Sequence, residues 1–513
     1  MVKVTAATFH YGETHEQCLR NVSLHIKEGE CVLLCGESGC GKTTITRLVN
    51  GLIPHFYEGE FSGRVTVADR EVATTMPDAL ASMVGSVFQN PRSQFFNLDT
   101  TGEIAFGCEN LGLPPADIRK RVQETADALA IERLLDRDIF ALSGGEKQLI
   151  ALASAYALSP DLFVFDEPSS NLDWTAVGKL AKLMLRLKQA GKTLLIAEHR
   201  LYWLSELIDR VVYLKAGRIE GDWQAEEFLA LSESKRMGLG LRVVNPDALR
   251  PSALSTKALT TKALRPDALC PATLSSPSAK PPQETRPCLR VFGLSAHYRR
   301  GKPVLQDISF EASFGEAVAL LGGNGAGKTT LARTLCGLHR KSSGEITLNG
   351  TRLSTKARAG PFYLVMQESG YQLFTDSVEN ELLLSKNKRS RPPCENVEAI
   401  LKSLSLTDLR DRHPMSLSGG QRQRTAIGTA MAHDAQVLIF DEPTSGLDYG
   451  NMRRVVAVIE RLRAEGKTIF IITHDYELLL AACTRALILE DGSITSDFPL
   501  TEANRDKIKE MFS

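Results

Sequence analysis

No stretch of this 513-residue chain holds the roughly 20 consecutive apolar residues that would cross a bilayer, and the opening MVKVTAATFHYG reads as a strand without the pattern of a signal peptide. The chain itself is therefore expected to be soluble. Net charge is equally absent: 61 Lys and Arg face 61 Asp and Glu. The broad basic excess of many nucleic-acid binders is missing, so no nucleic acid is expected as a partner. One compact basic run, Lys386 to Arg391, precedes Pro392 and Pro393 and reads as a solvated loop. None of the ten cysteines forms a C-x-x-C pair, which leaves no cysteine metal site to assign and points to reduced, cytosolic thiols.

What is present is a repeat. GESGCGKT (Gly36, Glu37, Ser38, Gly39, Cys40, Gly41, Lys42, Thr43) recurs as GGNGAGKT (Gly322, Gly323, Asn324, Gly325, Ala326, Gly327, Lys328, Thr329). Each copy follows an apolar, strand-like run, Glu30 to Cys35 or Ala317 to Leu321, and opens into a helix that starts with Thr44 or Thr330 close behind. That context is the one a phosphate-binding loop requires. Glycines let backbone N–H groups close around phosphate oxygens with no Cβ in the way. Lys42 and Lys328 would reach the β- and γ-phosphates, and Thr43 and Thr329 would place a hydroxyl on Mg²⁺. Cys40 is read as a small residue tolerated beside phosphate, with an oxidisable switch as the alternative. At this length two to four domains are expected, and the duplication favours two large ones.

The remaining motifs also come twice. Tyr11 and Tyr298 end the first strand of each half, where a ring could stack on adenine or pack on its own core. Gln89 and Gln367 follow the apolar segments Met83 to Phe88 and Phe362 to Met366, and a strand-end glutamine can ligate Mg²⁺ or position water near a γ-phosphate. LSGG brings Ser143, Gly144 and Gly145, then Ser418, Gly419 and Gly420, either as a second anion cradle without a lysine or as plain helix caps. Apolar strands then end in Asp166-Glu167-Pro168 and Asp441-Glu442-Pro443, at the edge where open α/β sheets bind ligands. The aspartates would hold Mg²⁺ through water, and the glutamates would orient or deprotonate an attacking water. Asp173 and Asp448 follow in NLD and GLD, and His199 and His474 close further strands, placed to sense a γ-phosphate.

Spacing binds these pieces together. Ser143 to Asp166 and Ser418 to Asp441 are both 23 residues, and Glu167 to His199 and Glu442 to His474 are both 32. Between loop lysine and glutamine the halves differ, 47 residues against 39, the longer segment including Gly51 to Asp69. Between the halves, Ala-Leu recurs every five residues among Pro, Ser and Thr from Ala248 to Ala268. A period of five fits neither helix nor strand and predicts a disordered linker.

Phosphate loop, glutamine, LSGG, Asp-Glu-Pro, Leu-Asp and histidine in this order resemble the ATP-binding-cassette family, twice over. The resemblance implies an α/β fold of two tandem P-loop ATPase domains, 1–240 and 289–513, joined by the linker 241–288. Each would have a mainly parallel core sheet, an antiparallel β subdomain and a helical subdomain. It also implies head-to-tail pairing of the two cassettes within the chain. One composite ATP site would use Lys42, Thr43, Gln89, Asp166, Glu167 and His199 with Ser418, Gly419 and Gly420. The other would use Lys328, Thr329, Gln367, Asp441, Glu442 and His474 with Ser143, Gly144 and Gly145. NGLIPHFYEGEFSG, FQNPRSQFF, EIAFGCENLGLP and AEHRLYWL are similar to the fused ATPase subunits of energy-coupling factor importers. The implied cofactors are ATP and Mg²⁺. The implied partners are a transmembrane coupling subunit and a small substrate-binding membrane protein for a vitamin or metal ion, the ATPase lying on the cytoplasmic side of the cell membrane. Soluble tandem cassettes that act on ribosomes or DNA would call for a long charged arm or zinc-binding cysteine pairs, and neither is present. The fused ATPases of sugar importers are of similar length but usually carry one degenerate site.

Overall fold

The computed structural model describes residues 1–12, 18–170, 172–245, 287–298, 303–339, 341–384, 397–504 and 507–508. The chain divides into two compact units, one built mainly from residues 1–246 and the other mainly from residues 247–512.

In the first unit, strands β1 (Val2–Tyr11), β2 (Leu19–Ile26), β4 (Gly59–Val67) and β5 (Arg70–Glu71) form an antiparallel sheet in the order β2-β1-β4-β5. Burial alternates along β1 and β2, as expected of strands with one wet face. The second sheet takes β3 (Cys31–Gly36), β6 (Val84–Val87), β7 (Leu162–Asp166), β8 (Thr193–Ala197), β9 (Arg210–Lys215) and β10 (Arg218–Gln224), in the order β10-β9-β3-β8-β7-β6. All its neighbours run parallel except β10 against β9. The unbroken apolar strings of β3 and β8 are buried along their whole length because helices or the other sheet cover both faces. One core joins the two sheets around the helix Lys42–Val49. The other packs helices Thr100–Asn110, Pro115–Leu129, Gly144–Ala157 and Trp174–Gln189 on the opposite face. Trp174–Gln189 shows why it docks there: Val177, Leu180, Leu183, Met184 and Leu187 recur at three- and four-residue steps and are all buried.

The second unit repeats the plan. Strands β11 (Pro287–His297), β12 (Pro303–Ser313), β14 (Ser342–Leu348) and β15 (Thr351–Arg352) make the antiparallel sheet, ordered β12-β11-β14-β15. Strands β13 (Ala317–Leu321), β16 (Phe362–Val365), β17 (Val437–Asp441), β18 (Thr468–Ile472), β19 (Arg485–Glu490) and β20 (Ser493–Pro499) make the other, ordered β16-β17-β18-β13-β19-β20.

Leu241 and Val244 join the helical core of the first unit, and β11 starts at Pro287 with Cys288 buried, so hydrophobic burial continues past residue 240 and resumes before 289. The Ala-Leu repeat and the basic run Lys386 to Arg391 lie outside the described residues.

Candidate nucleotide-binding and hydrolytic site

The loop after β3 is built by glycine in conformations closed to other residues. Gly36, Gly39 and Gly41 have φ of 143°, 81° and 107°, and Gly322, Gly325 and Gly327 repeat them at 142°, 86° and 104°. A Cβ on Gly36 would lie 2.2 Å from the Leu214 carbonyl oxygen, and one on Gly322 equally close to that of Leu489. The bend therefore folds tightly onto the neighbouring strand. Both lysines are buried and curl over their own loops: Lys42 Nζ donates to Gly36 O and Glu37 O at 3.0 Å, and Lys328 Nζ to Gly322 O and Gly323 O at 2.6 and 2.9 Å. A cation over a ring of glycine amides is the arrangement an anion of phosphate size would enter. Cys40 is buried within this loop, and burial pushes its thiol up against the opposing charge of Lys42. That disfavours thiolate, as a packing residue requires and an oxidisable switch does not.

Thr43 Oγ1 donates to Asp166 Oδ1 at 3.1 Å, and Thr329 Oγ1 to Asp441 Oδ2 at 3.0 Å. Burial first, then the charge of Glu167, pushes Asp166 up to about 7; burial likewise raises Asp441. A hydroxyl beside a carboxylate that gains from a nearby cation is a hard oxygen pair suited to Mg²⁺. Among the described residues no three His, Cys, Asp or Glu side chains form a metal cluster.

One residue on, Glu167 and Glu442 sit in the left-handed region at φ 46° and 50°, a conformation costing about 1–2 kcal/mol for a residue with a Cβ. Their amides hold the bend by donating to Ala197 O at 2.8 Å and Ile472 O at 2.9 Å on the adjacent strands. The bend brings Glu167 Oε1 to 3.4 Å from His199 Nε2, and Glu442 Oε1 to 3.7 Å from His474 Nε2. Burial opposes ionisation of Glu167, but His199 and Lys42 prevail and hold its carboxyl below the usual range. Gln89 Nε2 donates to Glu167 Oε2 at 2.6 Å, and Gln89 and Gln367 are both exposed. Lys42, Thr43, Gln89, Asp166, Glu167 and His199 thus converge at the C-terminal ends of β3, β6, β7 and β8.

Ser143 and Ser418 are caps of their own helices: Glu146 N–H donates to Ser143 Oγ and Gln421 N–H to Ser418 Oγ, both at 3.3 Å. Each forms a reciprocal box, Glu146 or Gln421 accepting the serine's own N–H. Asp173 and Asp448 likewise cap the following helices, receiving the Ala176 and Asn451 amides. Tyr11 is partly buried and its hydroxyl accepts from Arg47 at 2.8 Å, while Arg47 lies 4.0 Å over the Tyr57 ring. Tyr298 is half exposed, edge-on to His339 at 4.9 Å. Leu149, which holds the place of Arg424, packs against the helical core.

The ABC transporter family model matches residues 19–170 and 305–445. The chain belongs to the ABC transporter family. A Treponema denticola protein with the provisional name of ABC transporter ATP-binding protein is 44% identical over 497 residues, spanning 97% of both chains. A Bacillus subtilis protein provisionally named HMP/thiamine import ATP-binding protein YkoD is 32% identical, over 97% of this chain and 91% of that one. Among solved structures, a model of ribosome-bound archaeal Pelota and ABCE1 is similar with a TM-score of 0.65 over 98% of this chain and 80% of that one. At 21% identity it shows the fold alone. Membership makes each half an ATP-hydrolysing cassette, and none of the described helices is long and apolar enough to cross a membrane.

Four buried carboxylates of these ABC cassettes escaped the sequence reading. Glu198 and Asp475 brace the histidine segments, and Glu103 and Glu381 brace the segments after Gln89 and Gln367. The signal for Glu103 and Glu381 was their recurrence immediately before apolar runs, EIAFG and ELLL.

Proposed function

We propose that the two cassettes pair head to tail within the chain and hydrolyse Mg²⁺-bound ATP at two composite sites. Hydrolysis would drive import of a vitamin or a metal ion through separate membrane subunits. In each site the glycine amides and Lys42 or Lys328 bind and orient the phosphates, and Thr43 with Asp166, or Thr329 with Asp441, holds Mg²⁺. The ion, when bound, neutralises charge on the phosphate oxygens. Glu167 and Glu442 orient and deprotonate water, with His199 helping to keep Glu167 ionised and His474 lying beside Glu442. Ser418-Gly419-Gly420 and Ser143-Gly144-Gly145 offer helix N-termini to the nucleotide of the opposite cassette.

The observation that carries the transport reading is the pair Phe96 and Phe374, which are 74% and 78% exposed seven residues beyond Gln89 and Gln367. Neighbouring Phe95 turns inward and packs on the core, and Phe96 stacks on Phe106 at 5.0 Å. In the first cassette the two border a groove of about 390 Å³ lined also by Phe56, Phe88 and Leu158. An apolar groove at the end of a segment that starts beside the reacting carboxylate suits a membrane partner that must feel nucleotide state. The 32% identical relative named for HMP/thiamine import supports the same class of cargo. The test is purification of the tagged chain from native membranes. Co-purifying membrane proteins whose transport needs this chain would support the reading, and co-sedimentation with ribosomes in their place would overturn it.

A further inference from the structure

In each cassette one buried glutamate ties down the turn that presents the exposed phenylalanine. Glu103 is 1% exposed in the first turn of Thr100–Asn110, and its Oε2 accepts the Phe96 and Asn97 amides at 2.9 and 2.8 Å. Glu381 is 3% exposed in Val378–Leu384, and its Oε2 accepts the Phe374 amide at 2.9 Å and both the Thr375 amide and hydroxyl at 2.8 Å. The other end of the segment is fixed in the same manner. Gln94 Oε1 accepts the Phe88 amide at 3.3 Å and its Nε2 donates to Ser86 O at 2.8 Å. Gln372 accepts the Met366 amide at 2.9 Å and donates to Leu364 O. Phe88 and Met366 are the residues just before Gln89 and Gln367.

A buried carboxylate is retained only where its lone pairs are satisfied, and charge-assisted bonds to amides are among the stronger ones a loop can make. Capping of the glutamates' own helices does not require these contacts, because the amides they bind lie in the loop upstream. The spacing from bound amide to glutamate is seven residues in both cassettes, although the intervening sequences, NLDTTG and TDSVEN, differ. We propose that Glu103 and Glu381 are positioning residues that make the segment from Gln89 to Phe96, and from Gln367 to Phe374, move as one rigid strut. Displacement at the nucleotide end then reaches the exposed ring and is not absorbed by the loop. This rests on the reading of Phe96 and Phe374 as the docking aromatics, but the strut is testable in the chain alone.

Hydrogen–deuterium exchange of the full chain, with and without Mg²⁺ and a non-hydrolysable ATP analogue, gives the test. In the wild type, nucleotide should slow exchange from Gln89 through Asn97. In Glu103→Ala the Phe96 and Asn97 amides should exchange about tenfold faster, as loss of a charged acceptor implies. The nucleotide effect should stop at Gln94, with partner-free ATP hydrolysis within about twofold. Glu103→Gln, which keeps a carbonyl acceptor, should restore more than half of the effect at Phe96. A nucleotide response at Phe96 that survives Glu103→Ala overturns the proposal, as does its absence in the wild type. Unfolding of both variants also overturns it, by assigning Glu103 to stability alone. A chain that shows the strut but no membrane partner would fail the transport reading and leave the strut standing.

Discussion

Glu198 and Asp475 tie the histidine segment to the turn after Asp-Glu-Pro by the same kind of bond, from opposite sides of the histidine. Glu198 precedes His199; its carboxylate accepts the Ser169 hydroxyl at 2.6 Å and the His199 and Arg200 amides at 2.6 and 3.1 Å. Asp475 follows His474 and accepts the Thr444 hydroxyl at 2.7 Å and the Glu477 and Leu478 amides at 3.1 and 3.3 Å. Glu198→Ala and Asp475→Ala should each strand several buried donors and lower stability by about 2–3 kcal/mol. Urea denaturation of the full chain measures it, and a loss below 1 kcal/mol would remove the bracing role.

Glu167→Gln and Glu442→Gln should bind ATP with near wild-type affinity yet hydrolyse it about 10²- to 10⁴-fold more slowly at the altered site, the usual effect of losing an oriented base. Single-turnover cleavage checks each. An unchanged rate at the altered site would show that another group activates the water.

The boxes before the two LSGG helices differ in one atom type that titrates. Ser143 N–H and hydroxyl bonds to Glu146 hold its carboxyl below its ordinary value of 4.5, the backbone bond being the largest cause, whereas Gln421 carries an amide. A depressed carboxyl stabilises the folded state above the unfolded pKa and loses that contribution as pH falls through the folded one. The melting-temperature advantage of wild type over Glu146→Gln should therefore shrink as pH drops below about 4.5. Gln421→Glu should create the same slope in the second cassette. A gap that stays constant with pH would contradict the linkage.

Phe96→Asp should abolish co-purification with membrane partners and leave thermal stability near wild type, because the ring is exposed. Phe95→Asp should destabilise by more than 2 kcal/mol, since a charge would enter the core edge. Equal destabilisation by both would place Phe96 in the core.

Much of the fold was legible because its determinants are local. Unbroken apolar strings gave the parallel strands and glycine-rich turns the phosphate loops, and the duplication checked each against the other. Placement of Asp166, Glu167 and His199 at strand ends followed from the apolar runs that precede them. The brace at Glu198 was invisible, because its partner Ser169 is 29 residues away and its counterpart in the other cassette occupies a different register. The divergent exposures of Phe95 and Phe96 also lay beyond reach, since adjacent rings look alike until one faces the core.

Burial of the cysteines gives the duplicated chain a pair of internal clocks. Cys31, Cys35, Cys40 and Cys108 are sealed in the first cassette, and Cys288, Cys336 and Cys483 in the second. Burial pushes Cys31 and Cys35 far up, and Cys336 and Cys483 up to about 12. Such thiols react with alkylating reagents only when the surrounding structure opens. Labelling under mild denaturant, read peptide by peptide, would therefore time the opening of each half separately in the intact chain.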